Sequence, residues 1–290
     1  MLIRLGYEIA IECAQPTPLN SVLDIHDERQ PDIKRQTRVL TSPSVPQRTY
    51  RDRYGNTCRR FIAPAGRFSI LYDAVVEDSG EPDTVNRLAR ETPVENLPDD
   101  AIVYLLGSRY CETDHLAGLA WSLFGHIPPG WARVQAIVDY VHERLSFGYG
   151  YARSTRTAAQ AHEERVGVCR DFAHLAIAMC RCMNIPARYV NGYLGDIGVP
   201  ADPAPMDFSA WFEAFLDGKW YTFDARHNHP RIGRIVIARG RDATDVPLLH
   251  SFGPHRLDLF RVWAYEEQGT ASAPPPNQSV DRTVSAQVLQ

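Results

Sequence analysis

Between residues 1 and 12 the apolar side chains fall on odd positions, Ile3, Leu5, Tyr7, Ile9 and Ile11, while Arg4, Glu8 and Glu12 occupy even ones. A period of two predicts a strand with one wet face. The alternation returns over residues 66–76 through Phe68, Ile70, Tyr72 and Ala74. Between these runs, residues 49–61 are interrupted at Gly55-Asn56, a pair suited to the positive φ angles of a hairpin turn. Together they predict an N-terminal β domain over residues 1–100, closing near the Pro- and acid-rich stretch at 97–100.

The period then changes. Leu116, Leu119, Ala120, Leu123 and Phe124 share one helix face, and so do Val134, Ile137, Val138, Val141 and Leu145. Thr157 and Gln160 have the spacing of a capping box for a third helix, which Gly167 is expected to stop. A fourth helix is predicted over 169–183, broken by Asn184-Ile185-Pro186 and followed by a strand at 187–194. Residues 210–216 and 219–224 flank the turn pair Asp217-Gly218, a strong hairpin signal. Further strands are expected at 232–238 and 257–265, within a core domain over 101–267. Residues 268–290 contain almost no large apolar side chain and read as a disordered tail.

Composition narrows the function. A chain of 290 residues, 44% hydrophobic and 23% charged, suits a soluble protein of one large or two ordinary domains. A net charge of -4 gives no electrostatic case for nucleic acid, and no apolar run is long enough to span a bilayer. The first residues lack the basic and apolar regions of a secretory signal. With six scattered cysteines, reduced thiols in a cytoplasm are the expectation. No CxxC pair and no EF-hand spacing occurs, so neither a cofactor nor a metal is indicated.

Chemistry concentrates at Cys169, which follows the glycine-containing turn 165–168 and opens an apolar helix. A helix N-terminus supplies free N–H groups and a positive dipole end that favour a thiolate, and Arg170 adds charge of the same sign. Equally, a cysteine there can be a small buried hydrophobe opening a core helix.

Four blocks extend the argument: Gly167-Val-Cys-Arg-Asp-Phe-Ala-His-Leu175, Asn184-Ile-Pro-Ala-Arg-Tyr-Val-Asn-Gly-Tyr193, Ala210-Trp-Phe-Glu213 and Gly218-Lys-Trp-Tyr-Thr-Phe-Asp224. In this order they resemble the transglutaminase-like superfamily, continuously from about residue 104 to 228. The resemblance implies an α+β fold with a papain-like core: the cysteine opens a helix packed on an antiparallel sheet, preceded by a β domain. It also implies a Cys-His-Asp triad, with the histidine two residues before the tryptophan and the aspartate closing the next strand. Cys169 and Asp224 match. If Asp217-Gly218 is a two-residue loop, paired positions sum to 435, and residues 209 and 224 become diagonal neighbours on one face.

Position 209, however, is serine, which cannot act as a base near neutral pH. Another base can replace the histidine, the thiolate can act alone, or the domain can bind without turnover. His227 is nearest in sequence, although strand parity points it away from Asp224; His229 has the right parity but lies beyond the pairing. Loop histidines in a polar segment are the plainer reading of both. His174 sits too far round the helix from Cys169 to reach the thiol, Glu213 reads as an ion-pair partner, and Tyr149 and Tyr151 are candidates to line a cleft. The expected activity is acyl chemistry on a peptide or protein amide through a Cys169 thioester, with Ser209 and Asp224 completing the site and hydrolysis ranked before crosslinking. The alternative is an impaired relative that binds a peptide or protein partner.

Overall fold

In the computed structural model, which describes residues 1–267, the alternating N-terminal segments build seven strands. These are β1 (Leu2–Cys13), β2 (Thr17–Ser21), β3 (Ile33–Gln36), β4 (Leu40–Ser42), β5 (Arg48–Arg51), β6 (Thr57–Ala63) and β7 (Gly66–Glu77). β1 runs antiparallel to β7 along its whole length, from Leu2↔Glu77 to Cys13↔Gly66. Its odd side chains are buried, as the period of two requires. Gly6, on the other face, lies under the Trp263 ring; a Cβ there would meet the ring at 2.3 Å, so only glycine fits.

The rest of the chain contributes α1 (Asp99–Ile102), α2 (Thr113–Phe124), α3 (Trp131–Arg144), β8 (Ser146–Phe147), α4 (Ala158–Glu164) and β9 (Val166–Gly167). It continues with α5 (Cys169–Cys182), β10 (Ala187–Leu194), β11 (Ser209–Leu216), β12 (Lys219–Phe223), β13 (Arg234–Gly240), β14 (Leu249–Ser251) and β15 (His255–Glu266). A four-stranded antiparallel sheet of order β12-β11-β10-β13 carries α5, which is buried along nearly its whole length. The result is an α+β fold. Asp217 and Gly218 have φ of 52° and 75°, and the hairpin pairs from Leu216↔Lys219 to Phe212↔Phe223, each pair summing to 435.

The predicted hairpin turn forms, while the stop of one helix departs from the sequence reading. The turn at Gly55-Asn56 closes the β5–β6 hairpin, whose pairs run from Arg48↔Arg60 to Arg51↔Thr57; Gly55 has φ 83°, and Asp52 accepts the N–H groups of Tyr54 and Asn56 at 2.8 and 2.9 Å. Asn56 turns its buried amide onto the Arg239 backbone, donating at 2.7 Å and accepting at 2.8 Å, and so ties this loop to β13. Helix α4 has its Thr157–Gln160 capping box but ends with Arg165 in the left-handed region (φ 58°), not at Gly167. Gly167 instead gives room to Asp171, whose Cβ a side chain would meet at 2.6 Å.

The C-terminal strands also return to the first third of the chain. β15 pairs with the second edge of β1, and β14 pairs with β2, giving sheets of order β15-β1-β7-β3 (with β4 also on β7) and β14-β2-β6-β5. Residues 249–266 therefore complete the N-terminal sheets, and the two halves of the molecule share one buried core. The tail expected over 268–290 lies outside the described residues.

Candidate active site

Cys169 opens α5 because Asp171 caps the helix: its Oδ2 accepts the Val168 N–H at 2.9 Å and bonds Arg156 at 3.0 Å. This carboxylate offsets part of the positive helix end. Burial pushes the Cys169 thiol up, the nearby Arg226 guanidinium and the Ala210 N–H pull it down, and Asp207 and Asp224 push it up again; the net direction is up. Arg170, expected from the sequence to favour a thiolate, is drawn instead to the Arg153 carbonyl and the Tyr110 ring. Packing thus favours the protonated thiol over the thiolate.

Ser209 is the first residue of β11, opposite Gly192. Along this strand Ala210, Phe212 and Ala214 join the core that includes α5, whereas Trp211 packs with Val190 and Val236 on the other face. Strand parity puts Ser209 with Trp211. The residue is 5% exposed, and its Oγ has no hydrogen-bond partner.

Asp224 follows the end of β12 and bonds the guanidinium of Arg234 at 2.9 Å; that guanidinium in turn lies 4.9 Å from the Trp211 ring centre. Asp224 is thus linked through Arg234 to the Trp211 side of the sheet, the side to which parity assigns Ser209, although the hairpin pairing itself ends at Phe212↔Phe223. Asp224 accepts four hydrogen bonds: from Arg226 N and His227 N on Oδ1, both at 3.0 Å, and from Arg234 and the His227 ring on Oδ2. Burial raises its pKa, but Arg234 and then His227 outweigh burial and hold the carboxyl well below the ordinary range.

The partner of Asp224 is His227, with Nδ1 at 2.8 Å from Oδ2. The parity that turns position 227 away assumes a continuing strand, but β12 stops at Phe223. Residues 224–228 coil into a turn closed by Asn228 N to the Asp224 carbonyl at 2.8 Å. Asn228, in the left-handed region at φ 54°, is gripped by Gln135 and Asp139 of α3 at 3.0 Å each. His142 of α3 bonds the Ala225 carbonyl at 3.1 Å, and Arg226 lies 3.7 Å over Phe147. A helix distant in sequence therefore holds the loop that carries the histidine.

His229 bonds the His227 carbonyl at 2.7 Å. His174 is fully buried, accepts the Ala243 N–H at 3.1 Å and stacks on Tyr110; burial drives its pKa down to about 3. Glu213 pairs with Arg188 and Arg239 at 2.6 and 2.9 Å. Ser209, Arg226, His227 and Tyr149 line a cavity of about 1190 Å³, which continues across β15 to the β1 face. Tyr151 packs against Gly148 instead. Sequence reasoning did not single out Arg234, Arg226 or Asn228, since each acts through a contact that no local spacing encodes. Among the described residues, no cluster of three His, Cys, Asp or Glu is arranged for a metal, and no helix is long and apolar enough to cross a membrane.

The model of the transglutaminase-like superfamily matches residues 122–225, a span containing Cys169, Ser209 and Asp224. An uncharacterized protein of Mycobacterium leprae is 27% identical over 216 residues, which are 72% of this chain and 77% of the relative. One of Mycobacterium bovis is 25% identical over 232 residues, 73% and 74% of the two chains. Among solved structures, a candidate cysteine protease from Cytophaga hutchinsonii is similar at 30% identity and a TM-score of 0.79, covering 93% of this chain and 92% of that one.

Proposed function

This chain belongs to the transglutaminase-like superfamily, and on that footing we propose that it is a thiol-dependent hydrolase of peptide or protein amides, with Cys169 as nucleophile, His227 as base and Asp224 as orienting group. The observation that supports this reading most directly is the 2.8 Å bond between His227 Nδ1 and Asp224 Oδ2. A carboxylate only accepts, so Nδ1 carries the hydrogen and Nε2 is left as the basic nitrogen. Ser209 stands where the family has its histidine, and the turn after β12 supplies an imidazole to the same aspartate from three residues further on.

In this mechanism His227 Nε2 takes the proton of the Cys169 thiol, and the sulfur attacks the amide carbonyl carbon. The tetrahedral intermediate collapses, the C–N bond breaks, and the imidazolium returns its proton to the leaving amine. A thioester remains. Water, losing a proton to His227, attacks it; the C–S bond breaks and the thiol is restored. The raised pKa of Cys169 makes the base necessary, and the depressed pKa of Asp224 keeps it ionised to hold the imidazolium. Hydrolysis ranks before amine transfer because the structural relative of highest similarity described above is a candidate protease.

The rival reading, a protein that binds a peptide without cleaving it, rests on Ser209 and on the protonated resting thiol. A fluorogenic peptide library with mass spectrometry of Cys169 separates the two. Turnover with a thioester on Cys169, lost in Cys169→Ala and His227→Ala, is the expected result. Binding without thioester or turnover would transfer the case to the rival.

A further inference from the structure

We propose that the Ser209 hydroxyl is a catalytic hydrogen-bond donor to the carbonyl oxygen of the substrate, stabilising the oxyanion formed when Cys169 attacks. The proposal rests on the reading of Cys169 as an acylating nucleophile and gives Ser209 a task of its own, instead of treating it as a lost base.

The first observation is the state of the hydroxyl. Ser209 is 5% exposed, and its Oγ has no hydrogen-bond partner. Buried hydroxyls are normally paired, because an unmet one forfeits its hydrogen bond to water with no replacement. An alanine would carry no such penalty here. A fold that keeps the hydroxyl unpaired in the resting state has it ready for a group that arrives later.

The second observation is location. Ser209 is bracketed in the chain by two groups that act on the sulfur of Cys169, the Asp207 charge on one side and the Ala210 N–H on the other. Four covalent bonds separate Ala210 N from Ser209 Oγ, a span of at most about 5 Å. The hydroxyl is therefore tethered within a short reach of the donor that serves the sulfur. Ser209 also lines the same cavity as His227 and Arg226. Ser209, the base and the cation therefore border one space, and Cys169, outside that lining, adjoins it through the Ala210 N–H.

The chemistry is simple and balanced. As the C–S bond forms, the carbonyl π pair moves onto oxygen, and Ser209 O–H donates to that oxygen without transferring its proton. Collapse to the thioester restores the C=O bond as the C–N bond breaks, and the hydroxyl keeps its hydrogen. Serine serves this role where histidine would not, since the imidazole already bonded to Asp224 is the proton carrier. The interaction strengthens only as charge develops, which is the condition for lowering a barrier rather than a binding constant.

The test compares two reactions of Cys169 in the full chain. Acylation by p-nitrophenyl acetate passes through an oxyanion; thiol exchange with dithiodipyridine does not. Ser209→Ala is expected to slow acylation about a hundredfold, to leave disulfide exchange within about twofold, and to leave Tm equal or higher. Equal loss in both reactions, or loss in neither, would show Ser209 to be packing and overturn the proposal. A wild-type thiol that exchanges with the disulfide but is never acylated would overturn it together with the amide-hydrolase reading. The base assignment is read separately: His227→Ala slows both reactions at neutral pH, so its failure leaves the selective effect of Ser209 standing.

Discussion

Replacing Arg234 by methionine removes one cation from between two carboxylates. Arg234 donates to Asp224 Oδ2 at 2.9 Å and to the two Asp83 oxygens at 3.1 and 2.8 Å, and lies 4.9 Å from the Trp211 ring centre. Methionine keeps most of the length and the apolar contact with Trp211, so the change is chiefly electrostatic. Removing one partner of a buried pair costs about 3–5 kcal/mol, against a typical total stability of about 5–15 kcal/mol. For a chain of this size that lowers Tm by about 5–8 °C. The pH dependence has a definite sign. The folded pKa of Asp224 is depressed, with burial raising it and Arg234, then His227, overriding burial. Such a group contributes stability that is present above its unfolded value of about 3.9 and is lost as pH falls through the folded one. Without Arg234 the carboxyl takes up its proton at higher pH. The stability gap between wild type and Arg234→Met is therefore widest near pH 7 and narrows as pH drops below about 4. Urea unfolding at several pH values between 3 and 7 measures it directly. A gap below about 1 kcal/mol at pH 7, or one that does not change with pH, would refute this account of the Asp83–Arg234–Asp224 chain.

His227→Ala should lower turnover of a good amide substrate about a hundred- to ten-thousand-fold, read from kcat at saturating substrate; an unaffected kcat removes the base assignment. In that variant, labelling of Cys169 by dithiodipyridine should keep rising with pH beyond the free-cysteine value of about 8.5, because burial lifts the thiol; a plateau near pH 7 would contradict this. Ser209→His should lower both activity and Tm, since a ring placed at a 5%-exposed site overpacks it by about 1–3 kcal/mol and competes with His227 for Asp224. A rise in turnover would mean that a histidine at 209 can still serve as the base. Gly6→Ala should prevent stable folding or force Trp263 off β1, because the added Cβ meets both that ring and the Tyr72 carbonyl at 2.3 Å; near-UV circular dichroism and Tm report it.

What the sequence determined by itself was whatever depends on local period and local sterics. The strand alternation of β1 and β7, the helical faces of α2 and α3, the Thr157 capping box and the Asp217-Gly218 turn follow from side-chain spacing and from which residues tolerate positive φ. Hairpin register is a consequence of that turn, so the pairing from Leu216↔Lys219 to Phe212↔Phe223 was legible too. The partner of Asp224 was not. Parity carries a prediction along a strand only while the strand lasts, and β12 ends at Phe223 because the Asp224 side chain captures the next backbone N–H groups. The turn so formed is held by Gln135, Asp139 and His142, some ninety residues earlier in the chain. The state of the Cys169 thiol was likewise beyond local reading. A helix N-terminus is visible in sequence, but burial, the charges of Arg226, Asp207 and Asp224, and the diversion of Arg170 to Arg153 come from packing. Short-range geometry writes the scaffold into the order of residues; electrostatics and desolvation act through space, and only the folded chain decides which groups are near enough to count.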